Sequence, residues 1–183
     1  LDPFCGSGTT LVEARMLGTQ AIGIEISPLS ALISSVKCKF PDEGLDFISI
    51  IKNLTAFYND KWGAFCSEHD IHSCSYEDII NRSGNLVPAF ANYEKWLTRE
   101  ALLGVSIVLE YITTQSGYLK DFLTVALSAK MRSIGNVDVD VVRAEYRKTP
   151  RENVDVLKLV SNQIQRMALL GNDMLKTHKG IIG

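Results

Sequence analysis

The stretch "LDPFCGSGTTLVEARMLGTQAIGIEISPLSA", residues 1–31, decides the fold. Residues 1–4 read as the end of a buried strand. Residues 5–9 form a tight turn containing Gly6 and Gly8. Residues 10–17 are good helix formers, with Leu11, Ala14 and Leu17 on one side, and Gly18 supplies the stop that glycine gives just past a helix. Residues 20–26 are apolar and β-branched, the pattern of a buried parallel strand. The whole has the length of a β-α-β unit. Ser27-Pro28 then opens a second helix over residues 29–36, with Pro at its first position.

Three ligands compete for the glycine turn. A phosphate-binding loop needs GxxxxGK[ST], and no Lys follows these glycines. A dinucleotide fingerprint needs GxGxxG; Gly6 and Gly8 fit, but the third position is Leu11. The third ligand is S-adenosylmethionine, which has no pyrophosphate and carries a zwitterionic methionine tail. Gly6 and Gly8 let the backbone approach that tail without a Cβ in the way. Free N–H groups at the start of the next helix favour its carboxylate. Glu25, 19 positions after Gly6 at the end of the second strand, is placed to accept both ribose hydroxyls. Asp2, at the tip of the first strand, is placed to meet the tail ammonium.

These residues resemble the cofactor motif of amino-group DNA methyltransferases, which make N4-methylcytosine or N6-methyladenine. That pattern is D-P-F-x-G-S-G-T-T, a helix, then G-[IV]-[DE]-[ILN]-x-P. Asp2, Pro3, Phe4, Gly6, Ser7, Gly8, Thr9, Thr10, Gly23, Glu25 and Pro28 all match it. The resemblance implies that Phe4 packs on the cofactor, that Gly6, Ser7, Gly8 and Thr9 line its tail, that Glu25 binds the ribose, and that Ile26 and Ser27 lie near the adenine. Thr10 belongs to the same cofactor segment. Residues 92–140 are similar, less sharply, to the helical segment of one methyltransferase subgroup. In that subgroup a catalytic [DNS]-P-P-[YFW] follows the helical region. The family uses it to hold the target amino group and to stack a flipped base, so that methyl transfer is catalysed mainly by positioning. None of Pro3, Pro28, Pro41, Pro88 or Pro150 sits in such a tetrapeptide. The expectation is a chain cut before its catalytic motif, with no catalytic residue of its own, weak cofactor binding if any, and no activity alone.

Beyond residue 40 the character changes. Phe47, Ile50, Ile51, Leu54 and Phe57 follow helical spacing, and residues 59–92 read as polar and irregular. Thr98 reads as an N-cap before an apolar helix, and a stripe from Leu119 to Met131 as another. Residues 135–151 read as a loop with a short strand over 137–142. A final helix is expected over 154–170, and the closing Gly-Ile-Ile-Gly as the start of a strand. The expected fold is therefore α/β: a partial Rossmann-like methyltransferase fold with residues 1–40 as its cofactor-binding part and 41–183 as a large, mostly helical insertion.

Charge is divided unevenly. Residues 1–90 carry a net −5 and residues 91–183 a net +3, so an anionic polymer would meet the second half. No apolar run reaches the roughly 18–20 residues that span a bilayer. Four Cys at irregular spacing suggest no disulfide framework. By resemblance the partner is double-stranded DNA, in a prokaryotic cytoplasm and alongside a cognate restriction endonuclease that need not touch it. An RNA guanine-N2 methyltransferase, with a very similar D-P-F-C-G-[ST]-G motif, and a non-catalytic partner-binding subunit are the alternatives.

Other features carry two readings. Cys5 is a small filler rather than a nucleophile. Cys66, His69, His72 and Cys74 crowd into "CSEHDIHSC", but C-x2-H-x2-H-x-C matches no common zinc module, and a polar surface loop is expected. Arg143, Arg147, Lys148 and Arg151, with Tyr146 among them, suit contacts to DNA phosphates and equally a solvated loop. "SIGN", residues 133–136, is either a site element of the resembling subgroup or a helix end at Gly135.

Overall fold

The computed structural model describes residues 1–41, 43–84, 86–87, 92–138, 145, 147, 149 and 151–182, with side chains as far as 176. The two N-terminal segments pair in the expected parallel sense through one bridge, Asp2 with Gly23. Asp2 N–H donates to the Ile22 carbonyl at 2.8 Å, Ile24 N–H to that of Asp2 at 2.9 Å and Cys5 N–H to that of Ile24 at 3.1 Å. Helix α1 (Thr9–Met16) connects them. Gly18, at φ +65°, ends it, its N–H bonding the Arg15 carbonyl. Helix α2 (Pro28–Cys38) starts as the sequence predicts: Ser27 caps it through Ser30 N–H, with Pro28 at the first position.

The strands are not buried, contrary to the sequence-based expectation. Ile22 is 69%, Ile24 56% and Ile26 97% exposed. A parallel pair needs both faces covered, and these side chains stand largely open. Among the described residues no strand is longer than a bridge, so the α/β expectation is met only in the β-α-β connection.

The remainder is helical. Helix α3 (Phe47–Glu68) is capped by Asp46, whose Oδ1 accepts from Ile48 and Ser49 N–H. It runs through residues 59–68, which the sequence reading took as irregular. Leu54, Tyr58 and Phe65 supply the buried face that the polar residues between them disguise. Within the same stretch, Ser75 and Asp78 form a reciprocal capping box that starts α4 (Tyr76–Arg82). After the short α5 (Tyr93–Trp96), Thr98 caps α6 (Arg99–Thr113), as predicted.

Residues 101–108 of α6 are all buried, so this helix is enclosed on every side. Gly104 permits that enclosure, because a Cβ there would run into Tyr58 of α3 and into Val156. Helices α7 (Gly117–Ser128) and α8 (Met131–Ile134) follow. The last helix, α9 (Val156–Ile182), buries Val156, Val160, Ile164, Ala168 and Leu175 along one stripe. The strand expected at the closing Gly-Ile-Ile-Gly is overturned, since the helix continues through Ile182.

Helix α3 packs on α6 and α9, and α7 on α2, α6 and α9, which ties the N-terminal helices to the helical body. Tyr118 of α7 donates its hydroxyl to the Val36 carbonyl of α2 at 3.1 Å, and its ring meets Phe40 edge-on. No helix among the described residues is long and apolar enough to cross a membrane.

Candidate functional site

The glycine turn is built by its own backbone. Gly6 and Gly8 sit at φ +53° and +84°, conformations that L side chains rarely adopt. Gly8 N–H closes the turn onto the Cys5 carbonyl at 2.8 Å. A Cβ on Gly8 would enter Ser34 of α2, whereas one on Gly6 would meet only open space. Gly23 is equally confined, against Cys5 and Leu11. The turn therefore has a closed side toward α2 and an open side.

Glu25 meets the turn. Its Oε2 accepts from Gly6 N–H at 2.9 Å and its Oε1 from Ser27 N–H at 2.8 Å. The residues predicted for the two ends of the site are thus within hydrogen-bond reach. Each carboxylate oxygen has a second lone pair and can accept a further hydroxyl. Asp2 Oδ1 accepts from Phe4 N–H at 3.1 Å, which turns its carboxylate along the strand tip. Phe4 (89% exposed) and Ile26 present open apolar faces beside this cluster. Ser7, Thr9 and Thr10 are exposed. The first amides of α1 have no intrahelical partner, and Gly8 supplies no side-chain cap for them. This donor set fits S-adenosylmethionine: donors for a carboxylate, a carboxylate for hydroxyls, and apolar faces for a base. The sequence reading missed Lys37, Ser34 and Arg15. Lys37 Nζ donates to the Ser7 carbonyl at 2.8 Å, and Arg15 donates to the Cys38 and Phe40 carbonyls at 2.8 and 2.7 Å. The Ser34/Lys37 spacing of three residues along α2 was the available signal. An apolar groove of about 880 Å³ between α1, α2, α7 and α9 lies behind the turn and has Lys37 on its rim.

The other candidates do not assemble. Cys66, His69 and His72 line one surface hollow, and Cys74 is buried. His69 stacks on Phe65, His72 Nδ1 pairs with Glu100 at 3.1 Å, and the Cys74 thiol is pushed up by desolvation. Among the described residues no three His, Cys, Asp or Glu side chains converge as metal ligands. All four cysteines are free.

Arg143 and Lys148 lie outside the described residues, as do Tyr146 and most of the strand expected over 137–142. Asp138 N–H bonds the Glu145 carbonyl at 2.9 Å and Arg147 N–H that of Asn136 at 3.0 Å. Arg147 and Arg151 both approach Asn136. Its carbonyl takes Arg147 N–H at 3.0 Å and its Oδ1 takes Arg151 N–H at 2.8 Å. Asn136 is buried and also donates toward the Lys95 carbonyl at 3.4 Å. In this structure Asn136 of "SIGN" thus ties α5 to the segment before α9.

The family model described as DNA methylase (N6_N4_Mtase) matches residues 1–34. Over 37 residues the chain is 57% identical to the type II methyltransferase M.MjaII of Methanocaldococcus jannaschii, covering 20% of this chain and 7% of that protein. It is 27% identical over 156 residues to the type II methyltransferase M.MvaI of Kocuria varians, covering 82% of this chain and 30% of that protein. Over 30 residues it is 63% identical to M.BsoBI of Geobacillus stearothermophilus, covering 16% and 6%. The chain therefore spans less than a third of the length of each of these relatives. No solved structure matches. The family match takes in the glycine turn and Glu25.

Proposed function

We propose that this chain is the cofactor-binding part, with an adjoining helical region, of an amino-group DNA methyltransferase acting on adenine or cytosine in duplex DNA. The observation that carries this is the Glu25 carboxylate bonded to Gly6 N–H across the open side of the turn, within the segment matched to DNA methylases. S-adenosylmethionine supplies the methyl group when bound.

The chain's own residues bind and orient. Glu25 accepts the ribose hydroxyls. Asp2 meets the tail ammonium. Gly6 and Gly8 line the tail with bare backbone, while Ser7, Thr9 and Thr10 present N–H and hydroxyl donors to it. Phe4, Ile26 and Ser27 flank the adenine. Residues 1–40 form the cofactor part of a Rossmann-like fold and residues 41–183 the helical part. The basic residues Arg143, Arg147, Lys148 and Arg151 are candidates to contact DNA phosphates.

Calorimetric titration of the full-length protein with S-adenosylmethionine tests the site. The expected outcome is saturable binding by the wild type and a loss of roughly tenfold or more in Glu25→Ala, since a hydroxyl bonded to a charged acceptor is worth about 1.5–3 kcal/mol. Equal affinity in the two proteins would refute the ribose assignment.

A further inference from the structure

We infer that Lys37 is a positioning residue of the cofactor turn, holding the Ser7 peptide so that the open side of the turn presents donors to the methionine tail. The inference rests on reading residues 1–31 as an S-adenosylmethionine site.

A turn with left-handed glycines on both sides of one residue has a weakness. Glycine tolerates most of φ/ψ space, so the peptide planes around Ser7 can rotate at little steric cost. A rotated plane would turn a carbonyl toward the tail carboxylate in place of an N–H. Two of the turn's amides are already committed, Gly6 to Glu25 and Gly8 to the Cys5 carbonyl. The amides left for an anion are that of Ser7 and those entering α1, and the direction of the latter follows the Ser7–Gly8 peptide.

Lys37 holds that peptide from behind. Its ammonium lies 2.8 Å from the Ser7 carbonyl oxygen and 3.3 Å from Ser7 Oγ. A charged donor makes the stronger class of hydrogen bond. Ser34, one turn earlier on the same face of α2, closes the space under Gly8. Arg15 ties α1 to the C-terminal end of α2, donating to the Cys38 and Phe40 carbonyls. The turn thus rests on α2 at two points, and Lys37 is the one that fixes carbonyl direction.

The test compares two ligands by calorimetry on the intact protein: S-adenosylmethionine, and 5′-methylthioadenosine, which lacks the amino-acid tail. Lys37 is exposed, so Lys37→Met is expected to keep its fold, checked by its melting temperature. The variant should bind S-adenosylmethionine about tenfold more weakly and methylthioadenosine within about twofold of wild type. Lys37→Arg, which restores a charged donor, should recover most of the loss. Unchanged affinity of Lys37→Met for S-adenosylmethionine overturns the inference. So does an equal loss for both ligands, which would mean a general effect on the site. A wild type that binds neither ligand overturns the methyltransferase reading and this inference with it. A Glu25→Ala variant that binds like wild type removes only the ribose assignment.

Discussion

Two regions of this molecule are rich in apolar residues and opposite in structure. Residues 20–26 alternate isoleucines with Gly23 and Glu25, and residues 101–108 are apolar but for Gly104 and Ser106. In α6 those residues are all buried, against α3, α4, α7 and α9. In the N-terminal pair, Ile22, Ile24 and Ile26 stand open. A run of apolar residues records a demand for burial, and local sequence does not say what meets it. A helix meets its backbone hydrogen bonds internally and needs only neighbours for its sides. A strand needs partners at both edges as well as cover on both faces.

Paired substitutions measure that contrast directly. Ile164→Ala, in the buried stripe of α9, should lower unfolding free energy by about 2–5 kcal/mol, whereas Ile26→Ala should stay within about 0.5 kcal/mol. Urea unfolding of both variants reads the difference, and similar losses would mean that Ile26 is covered in solution. Asn136→Ala falls between them. It takes the acceptor from Arg151 N–H and should cost about 1–3 kcal/mol, with an unchanged melting curve arguing that the α5 tie is dispensable.

The smallest effect belongs to the exposed cap Asp46. Hydrogen bonds from Ser49 and Ile48 hold its carboxyl below the usual value of 3.8. With the folded pKa depressed, its contribution is present above the unfolded value and is lost as pH falls through the folded one. The stability gap between wild type and Asp46→Ala should therefore be steady near neutrality and close in acid below about pH 3.8. A gap that persists there would assign the effect to helix propensity.

What was legible in the sequence was local chemistry. Ser27-Pro28 and Thr98 announced their helices because a cap needs only its own next three residues. Gly6, Gly8 and Glu25 announced a site because a β-α-β unit fixes their separation. Helix α3 was cut short in the reading because Tyr58, Trp62 and Phe65 are spaced among Asn, Asp, Lys and Gly, and only stacking of Tyr58 on Trp62 and burial against α6 reveal the stripe. The end of α9 was misread because Ile181 and Ile182 favour strands intrinsically, while a long amphipathic helix already under way carries them along. Lys37 was hidden for a different reason. A surface lysine is unremarkable until the peptide it holds is known.

The grip of Arg15 on the end of α2 has a practical consequence for anyone moving this segment between proteins. The family match stops at residue 34, yet the parts that brace the glycine turn are Lys37, Cys38 and Phe40. A chimera spliced at the edge of the recognisable motif would carry every signature residue and leave its scaffolding behind. The transplantable unit runs through Phe40, and its recipient must offer a hydroxyl where Tyr118 now meets Val36.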